Sequence, residues 1–321
     1  MIKQAMGVYT KTRIIPETEF NKLSTTAKAY DLPFNTNAIS SSQNMTDAET
    51  ISGIRDAKEP IKGNIDVQGT LELPLDTVAF GYLLAATFGA PTTTAVGQDG
   101  IYQHVFKASK EQPSFTVEKE YKSDLLSLVT GCKVSKLSFS FGGDGELTAS
   151  ADVVGCTEEI NSATKAKGVE AVRLNRLNNF QTAMKLDGKE VAIATEISLD
   201  IDFGLDTDGY AIGSNGFRTR INEGLIKPSG SMTTFFDDKS LLEKAINNEA
   251  VSLQLTMTKG KQSLVIDIPE ILLERKTPEI TGAKGLTVDL NYNAFYEKSA
   301  IGTCIQFTLI NDVAKYDAFK A

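Results

Sequence analysis

Asp144 and Glu146 stand two residues apart in Gly142-Gly143-Asp144-Gly145-Glu146. Two carboxyls about 5–10 Å apart are what a glycosidase sets across its sugar. The stretch carries no aromatic side chain to stack on a sugar, and a solvated hairpin turn accounts for it. It also lacks the Lys-Ser/Thr of a phosphate loop and opens no helix, so nucleotide binding is not supported. Asp200, Asp202, Asp206 and Asp208-Gly209 resemble part of an acidic calcium loop. However, Asp200 and Asp202 already alternate along a strand, and no bidentate acid follows at the required spacing. His104 is the one histidine and has no nearby Ser or Cys to activate, which leaves it a structural or interface residue. Cys132, Cys156 and Cys304 are odd in number and form no CxxC pair, so neither a disulfide framework nor a zinc knuckle is expected. They read as buried small hydrophobes. No catalytic residue, metal or cofactor is expected.

Composition narrows the classes further. The chain has 33 Lys and Arg against 41 Asp and Glu, a net charge of −8. Holding phosphates by counter-ion release needs the opposite sign, so a sequence-specific DNA binder is not expected. Apolar residues make up 41% and charged residues 23% of 321, the composition of a folded globular protein with room for two ordinary domains. No stretch approaches the roughly 20 apolar residues of a membrane helix, and residues 1–30 lack the apolar core of a signal peptide. No membrane association is expected, and the chain should be made and assembled in the cytoplasm of its host.

The elements that must position these residues are strands. Ile65, Val67, Leu71, Leu73 and Leu75 alternate with Asp66, Gln68, Thr70 and Glu72, the period of a half-buried strand. Leu137, Phe139 and Phe141 do the same before the Gly142–Gly145 turn, and Leu147, Ala149, Ala151 and Val153 after it, which makes a hairpin. In the second half Ile197, Leu199, Ile201 and Phe203 alternate with Glu196, Ser198, Asp200 and Asp202; Leu286 to Tyr292 follow suit. Shorter strands are expected around Leu253, Leu264 and Ile305. Only two helices are expected, one after Asp76 ending at Gly89, the other from Asp237-Asp238 to Asn247-Asn248.

These two helices are related. Gly69, Leu71, Leu75 and Asp76 recur as Gly230, Met232, Phe236 and Asp237, at one constant offset of half the chain. Downstream the offset shortens, since Leu147 matches Leu286, and this places an extra loop, 90–113, in the first half only. A tandem duplication follows: an N-terminal arm over 1–33, a first β domain over 34–160, a linker over 161–167 and a second β domain over 168–321. Polar loops over 40–59 and 204–224 sit at matching places and carry arginine near their ends, Arg55 beside Asp56 in one, Arg218 and Arg220 in the other. These four are candidates for contacts between rings or subunits.

Gly63-Asn64-Ile65-Asp66-Val67-Gln68-Gly69 with Leu71-Glu72-Leu73-Pro74-Leu75-Asp76, then Pro113-Ser114-Phe115-Thr116-Val117-Glu118-Lys119, then Gly131-Cys132-Lys133-Val134 leading to Phe139-Ser140-Phe141-Gly142-Gly143-Asp144-Gly145-Glu146-Leu147, resemble bacteriophage tail tube (major tail) proteins. The first half carries these motifs and the second is covered through the repeat. The resemblance implies a mainly β fold: two tandem tail-tube-like β-sandwich domains, each flanked by a helix, whose strands join those of neighbours into an oligomeric β-barrel. It implies a structural virion protein, not an enzyme, located in the tail. Its partners would be copies of itself as stacked homotrimeric rings with pseudo-sixfold symmetry, the tape-measure protein, tail terminator and baseplate or tip proteins. Double-stranded DNA would pass through the channel without specific binding.

An electronegative wall suits such passage, since it repels phosphate. The residues assigned to the wall are Asp66, Gln68, Glu72, Thr148 and Asp152 with Glu196, Asp200 and Asp202; the competing reading is a face turned to bulk solvent. The alternative function is a β-sandwich binding module, an adhesin or baseplate component for a host polysaccharide, against which the absence of Trp counts.

Overall fold

Alternation, where it holds, becomes strand. In the computed structural model, which describes residues 4–191, 193–237, 239–280, 282–283 and 285–320, the first half runs β1 (Lys11–Pro16), β2 (Lys28–Leu32), β3 (Thr36–Asn37), β4 (Ser40–Thr46), β5 (Ile61–Pro74), α1 (Ala79–Phe88), β6 (Thr92–Val96), β7 (Ile101–Lys107), β8 (Phe115–Lys122), β9 (Leu125–Gly142), β10 (Thr148–Gly155) and β11 (Thr157–Asn161). The second runs β12 (Lys167–Ala171), β13 (Thr182–Leu186), β14 (Lys189–Glu190), β15 (Ala194–Asp202), β16 (Lys227–Phe235), α2 (Ser240–Asn247), β17 (Val251–Lys259), β18 (Gln262–Leu273), β19 (Thr287–Ala294) and β20 (Gln306–Asn311). The protein is mainly β, as expected.

One antiparallel sheet runs through both halves in the order β4–β5–β10–β9–β15–β16–β19–β18, with β3 extending β4 along the same edge. The long strands β9 and β18 bend out of it into a second layer. There β9 pairs with β8 and β11, while β1, β2 and β12 continue outward; β18 pairs with β17 and β20, flanked by β13–β14 and β7–β6. The apolar residues of both layers form a core that takes in Leu71, Phe139, Leu199, Leu255 and Phe307.

The pairing of the first half recurs in the second. Ala149 faces Leu73, and at the corresponding places Val288 faces Thr234. Val153 faces Val134, as its counterpart Tyr292 faces Leu273. Even an irregularity repeats: Phe115–Cys132 gives way to Val117–Val129, as Val251–Ile271 gives way to Leu253–Ile268. Gly230 marks another shared demand. A Cβ there would clash with the Ser198 carbonyl oxygen, and one at Gly69 would clash with that of Ala38. At Gly230 the space admits the Tyr292 ring, whose hydroxyl crosses to donate to the Ser198 oxygen at 2.7 Å.

The helices differ in their surroundings. Asp76 starts α1 by accepting the amides of Val78, Ala79 and Phe80, and every residue of α1 is buried. It lies between the halves, with Phe80 against Phe139 and Phe307 and Phe88 against Phe203. In contrast, α2 is amphipathic, buries only Ala245 fully, and ends on Asn248 in the left-handed conformation. Of the expected start at Asp237-Asp238, Asp238 lies outside the described residues.

Four segments are more ordered than their sequences alone show. Much of the N-terminal arm is sheet: β1 pairs with β8 and buries Ile14 and Ile15, and β2 pairs with β1. Period two is missing there because β1 is buried on both sides, with Arg13 held by Glu118 at 2.6 Å and by Glu120. Residues 40–46, expected as loop, pair with β5 as β4. The extra loop 90–113 contains the β6–β7 hairpin, and β7 pairs with β20 of the second half, so the insertion ties the two halves together. The expected linker is also anchored, since the Glu118 carboxylate accepts the amide of Lys165 at 2.7 Å and the hydroxyl of Thr164.

Candidate functional site

Cross-strand register decides which side chains share a face, because directly opposed residues point the same way. Ser42 opposes Asp66, Ser40 opposes Gln68 and Thr36 opposes Glu72; Thr70 and Glu72 oppose Asp152 and Ser150. The row continues through Ser138 and Lys136 of β9 to Asp200 and Asp202 of β15, and Gly142 opposes Glu196. It then passes through Lys227, Ser229, Ser231 and Thr233 to Asp289, Asn291 and Asn293. All eight residues assigned to the wall therefore lie on one face of one sheet, each exposed or half-buried.

That face is polar from edge to edge and acidic in balance. Asp66, Glu72, Asp152, Glu196, Asp200, Asp202 and Asp289 stand against Lys136 and Lys227. Lys136 lies 3.2 Å from Asp200. Hydroxyls bind the acids across the strands, Thr70 to Asp152 at 2.6 Å and Thr233 to Asp289 at 2.8 Å, so the carboxylates are held in place. The serines and asparagines of β9, β16 and β19 complete the face, and the same period of two marks them in the sequence.

The loop arginines separate. Arg55 and Asp56 are exposed between β4 and β5, and Arg220 is exposed. Arg218, expected as a free contact residue, is buried within its own chain: Nη1 donates to the Val67 and Gly155 carbonyls at 3.1 and 3.2 Å, Nε to the Thr207 carbonyl at 2.6 Å, and Nη2 to Asp66. It thereby clamps the loop 204–224 onto β5 and partly neutralises one acid of the face.

The residues first considered for chemistry are otherwise engaged. Glu146 pairs with Arg176 at 2.9 Å and accepts from Asn35 at 2.9 Å, while Asp144 stays in the exposed turn. Asp202 and Asp206 cap the amides of Gly204 and Asp208. Among the described residues no group of three or more His, Cys, Asp or Glu is placed to hold a metal ion. His104 is buried, held by Thr93 and the Val313 carbonyl at 2.9 Å each, and burial lowers its pKa. Cys132, Cys156 and Cys304 are free thiols, and burial pushes Cys156 up to about 12. Among the described residues no helix is long and apolar enough to cross a membrane.

Asp76 is the group with a pH signature. Burial pushes it up to about 6, against the pull of the α1 amides. Because the folded pKa lies above the unfolded value, the contribution is intact below about pH 4 and is lost as pH rises through about 6. A rise of this size corresponds to about 3 kcal/mol. Asp76→Asn keeps an acceptor for the helix amides without the charge. The difference between its urea midpoint and that of the parent should widen in its favour from about pH 4 to about pH 7; a constant difference would count against this assignment.

Two halves joined by one sheet with a continuous acidic face define a mainly β protein of two matching halves. The sequence model of the phage tail tube protein family matches residues 10–294, and the chain belongs to that family. It is accordingly a structural subunit of a phage tail tube, placed in the virion tail and assembling with copies of itself. Comparison with curated proteins gives no match.

Proposed function

We propose that the chain is a duplicated tail tube domain, that three chains close into a pseudo-sixfold ring, and that the acidic face of the eight-strand sheet lines the channel. Rings stack around the tape-measure protein between terminator and tip proteins, and the emptied tube conducts DNA into the host. The observation that carries this reading is the sheet itself: two sets of four strands in matching register, both with their polar sides on one face. A closed barrel would remove its two edges. An acidic lumen gives DNA no counter-ion release to gain, so it slides. Arg55 and Asp56, exposed on the loop after β4, would make contacts between rings.

Negative-stain electron microscopy of the purified chain tests this directly. Rings or tubes with threefold mass and sixfold appearance are expected. Particles whose tail tube consists of another protein, with this chain dispersed, would overturn it.

A further inference from the structure

The inner sheet has two open ends, and the junction at its middle is a template for joining them. Between the halves, Phe139, Ser138, Leu137 and Lys136 of β9 oppose Leu199, Asp200, Ile201 and Asp202 of β15. The position of β9 recurs in β18, as the matching pairs Val153–Val134 and Tyr292–Leu273 show. The position of β15 recurs in β3–β4, since Ser40–Gln68 corresponds to Asp200–Ser229. Transposing the junction sets Pro278, Thr277, Lys276 and Arg275 against Ile39, Ser40, Ser41 and Ser42.

We propose that residues 274–280 pair antiparallel with residues 37–42 of a second copy of this chain, in that register, and that this contact closes the ring. The inference rests on the tube reading and deepens it by naming the joining segments.

Four observations support a second copy as the occupant. First, residues 135–141 lie in a strand between β10 and β15, whereas their counterparts 274–280 are not strand; Glu274 still donates its amide to the Asn291 carbonyl of β19, and among the described residues no strand pairs with the other side of the segment. A stretch that is unpaired where its counterpart in the other half is strand is what an absent partner leaves. Second, β4 is exposed at all seven residues, and among the described residues no strand pairs with its outer edge. Third, the helices report the same gap. Phe307 of β20 covers α1, and its counterpart in β11 is Ile160, because Ile160 opposes Ser127 as Phe307 opposes Ile266. Ile160 is 65% exposed, and so are parts of the surface it would cover, Ile246 of α2 at 44% and Phe235 at 48%.

Fourth, the edge chemistry fits. Ala38 donates its amide inward to the Thr70 carbonyl, so the main-chain groups of Ile39 and Ser41 point outward. Pro278 has no amide to offer Ile39, and the Ile39 carbonyl already accepts from Lys119. The outward amides of Ile39 and Ser41 are capped by Asn37 Oδ1 at 3.1 Å and Glu158 Oε2 at 2.7 Å. The incoming carbonyls of Pro278 and Lys276 replace these side-chain caps, which keep the edge of a lone chain from pairing indiscriminately.

The test is a cysteine pair. Thr277→Cys with Ser40→Cys places two thiols at a directly opposed pair without hydrogen bonds, at a Cα separation suited to a disulfide. Tubes formed from the full chain and then oxidised should give a covalent ladder on non-reducing gels, absent from the parent chain. Thr277→Cys with Ser41→Cys, which puts the thiols on opposite faces, should cross-link at least tenfold less. The Lys276 amide, which the pairing sets against the Ser41 carbonyl, should exchange at least tenfold more slowly in tubes than in single chains. Tubes visible by microscopy without the 277–40 cross-link, or with the displaced pair cross-linking equally, overturn this pairing and leave the tube reading intact. Failure of the chain to form rings or tubes under any condition overturns both.

Discussion

Arg218→Ala should cost about 3–5 kcal/mol of stability, because it strips a donor from several buried carbonyls at about 1–3 kcal/mol each. Four acceptors depend on this guanidinium. Three are carbonyls, of Val67, Gly155 and Thr207, and unpaired buried carbonyls are themselves expensive. The fourth, Asp66, is half-exposed and can recover water, so Asp66→Asn should cost no more than about 1 kcal/mol. The loop 204–224 would loosen from β5, where Gly216 accepts the Ile65 amide at 2.8 Å and Tyr210 stacks under Arg218. Arg218→Lys should recover little, since one ammonium cannot span four acceptors that a planar fork reaches together. Urea unfolding of the three variants measures this. An Arg218→Ala loss no greater than that of Asp66→Asn would mean that the carbonyl contacts contribute nothing.

The residues legible in the sequence are those with water on one side and core on the other. β5, β10, β15 and β19 have that environment, and their alternation gave both the strands and the face carrying Asp152 and Asp200. β1 was not legible because both its sides are buried, with Arg13 neutralised by acids of β8, far along the chain. β4 was not legible for the opposite reason: all of its residues are exposed, so its polar sequence reads as loop. Arg218 was misleading on the same ground. A loop arginine looks like a surface residue until the fold brings the Val67 and Gly155 carbonyls to it. Register within each half was carried by local patterns; contacts between halves, such as β7 on β20, depend on packing that no short pattern encodes.

The different fates of the two helices follow from one cause. α1 is flanked by the other half of its own chain, which supplies Phe203 and Phe307; α2 has the equivalent place at the end of the sheet and buries only Ala245. On the proposed pairing, a lone copy keeps a finished joint in its middle and two halves of the same joint at its ends. Stability and assembly would then be separable: the central joint folds with the chain, and the outer one would form only between chains.

That separation would let the charge of the proposed wall be altered without touching assembly. Glu196→Lys with Asp200→Lys should leave folding and tube formation unchanged, because Glu196 is exposed and the Lys136–Asp200 pair is a surface pair worth at most about 1 kcal/mol. Each chain changes by four charges, and the change repeats in every chain of every ring. Passing DNA would then meet successive rings of cations, each able to release counter-ions from phosphates, and contacts of this kind add along the duplex. Ejection triggered in vitro should slow by an order of magnitude or more at about 50 mM salt, and recover substantially by about 200 mM as released counter-ions lose their entropic advantage. Replacing the same residues by Gln and Asn should have a much smaller effect, since neutral side chains hold no phosphate. Salt dependence separates friction by charge from a narrowed bore, which salt would not relieve. Normal ejection by the lysine variant at low salt would place this face outside the channel.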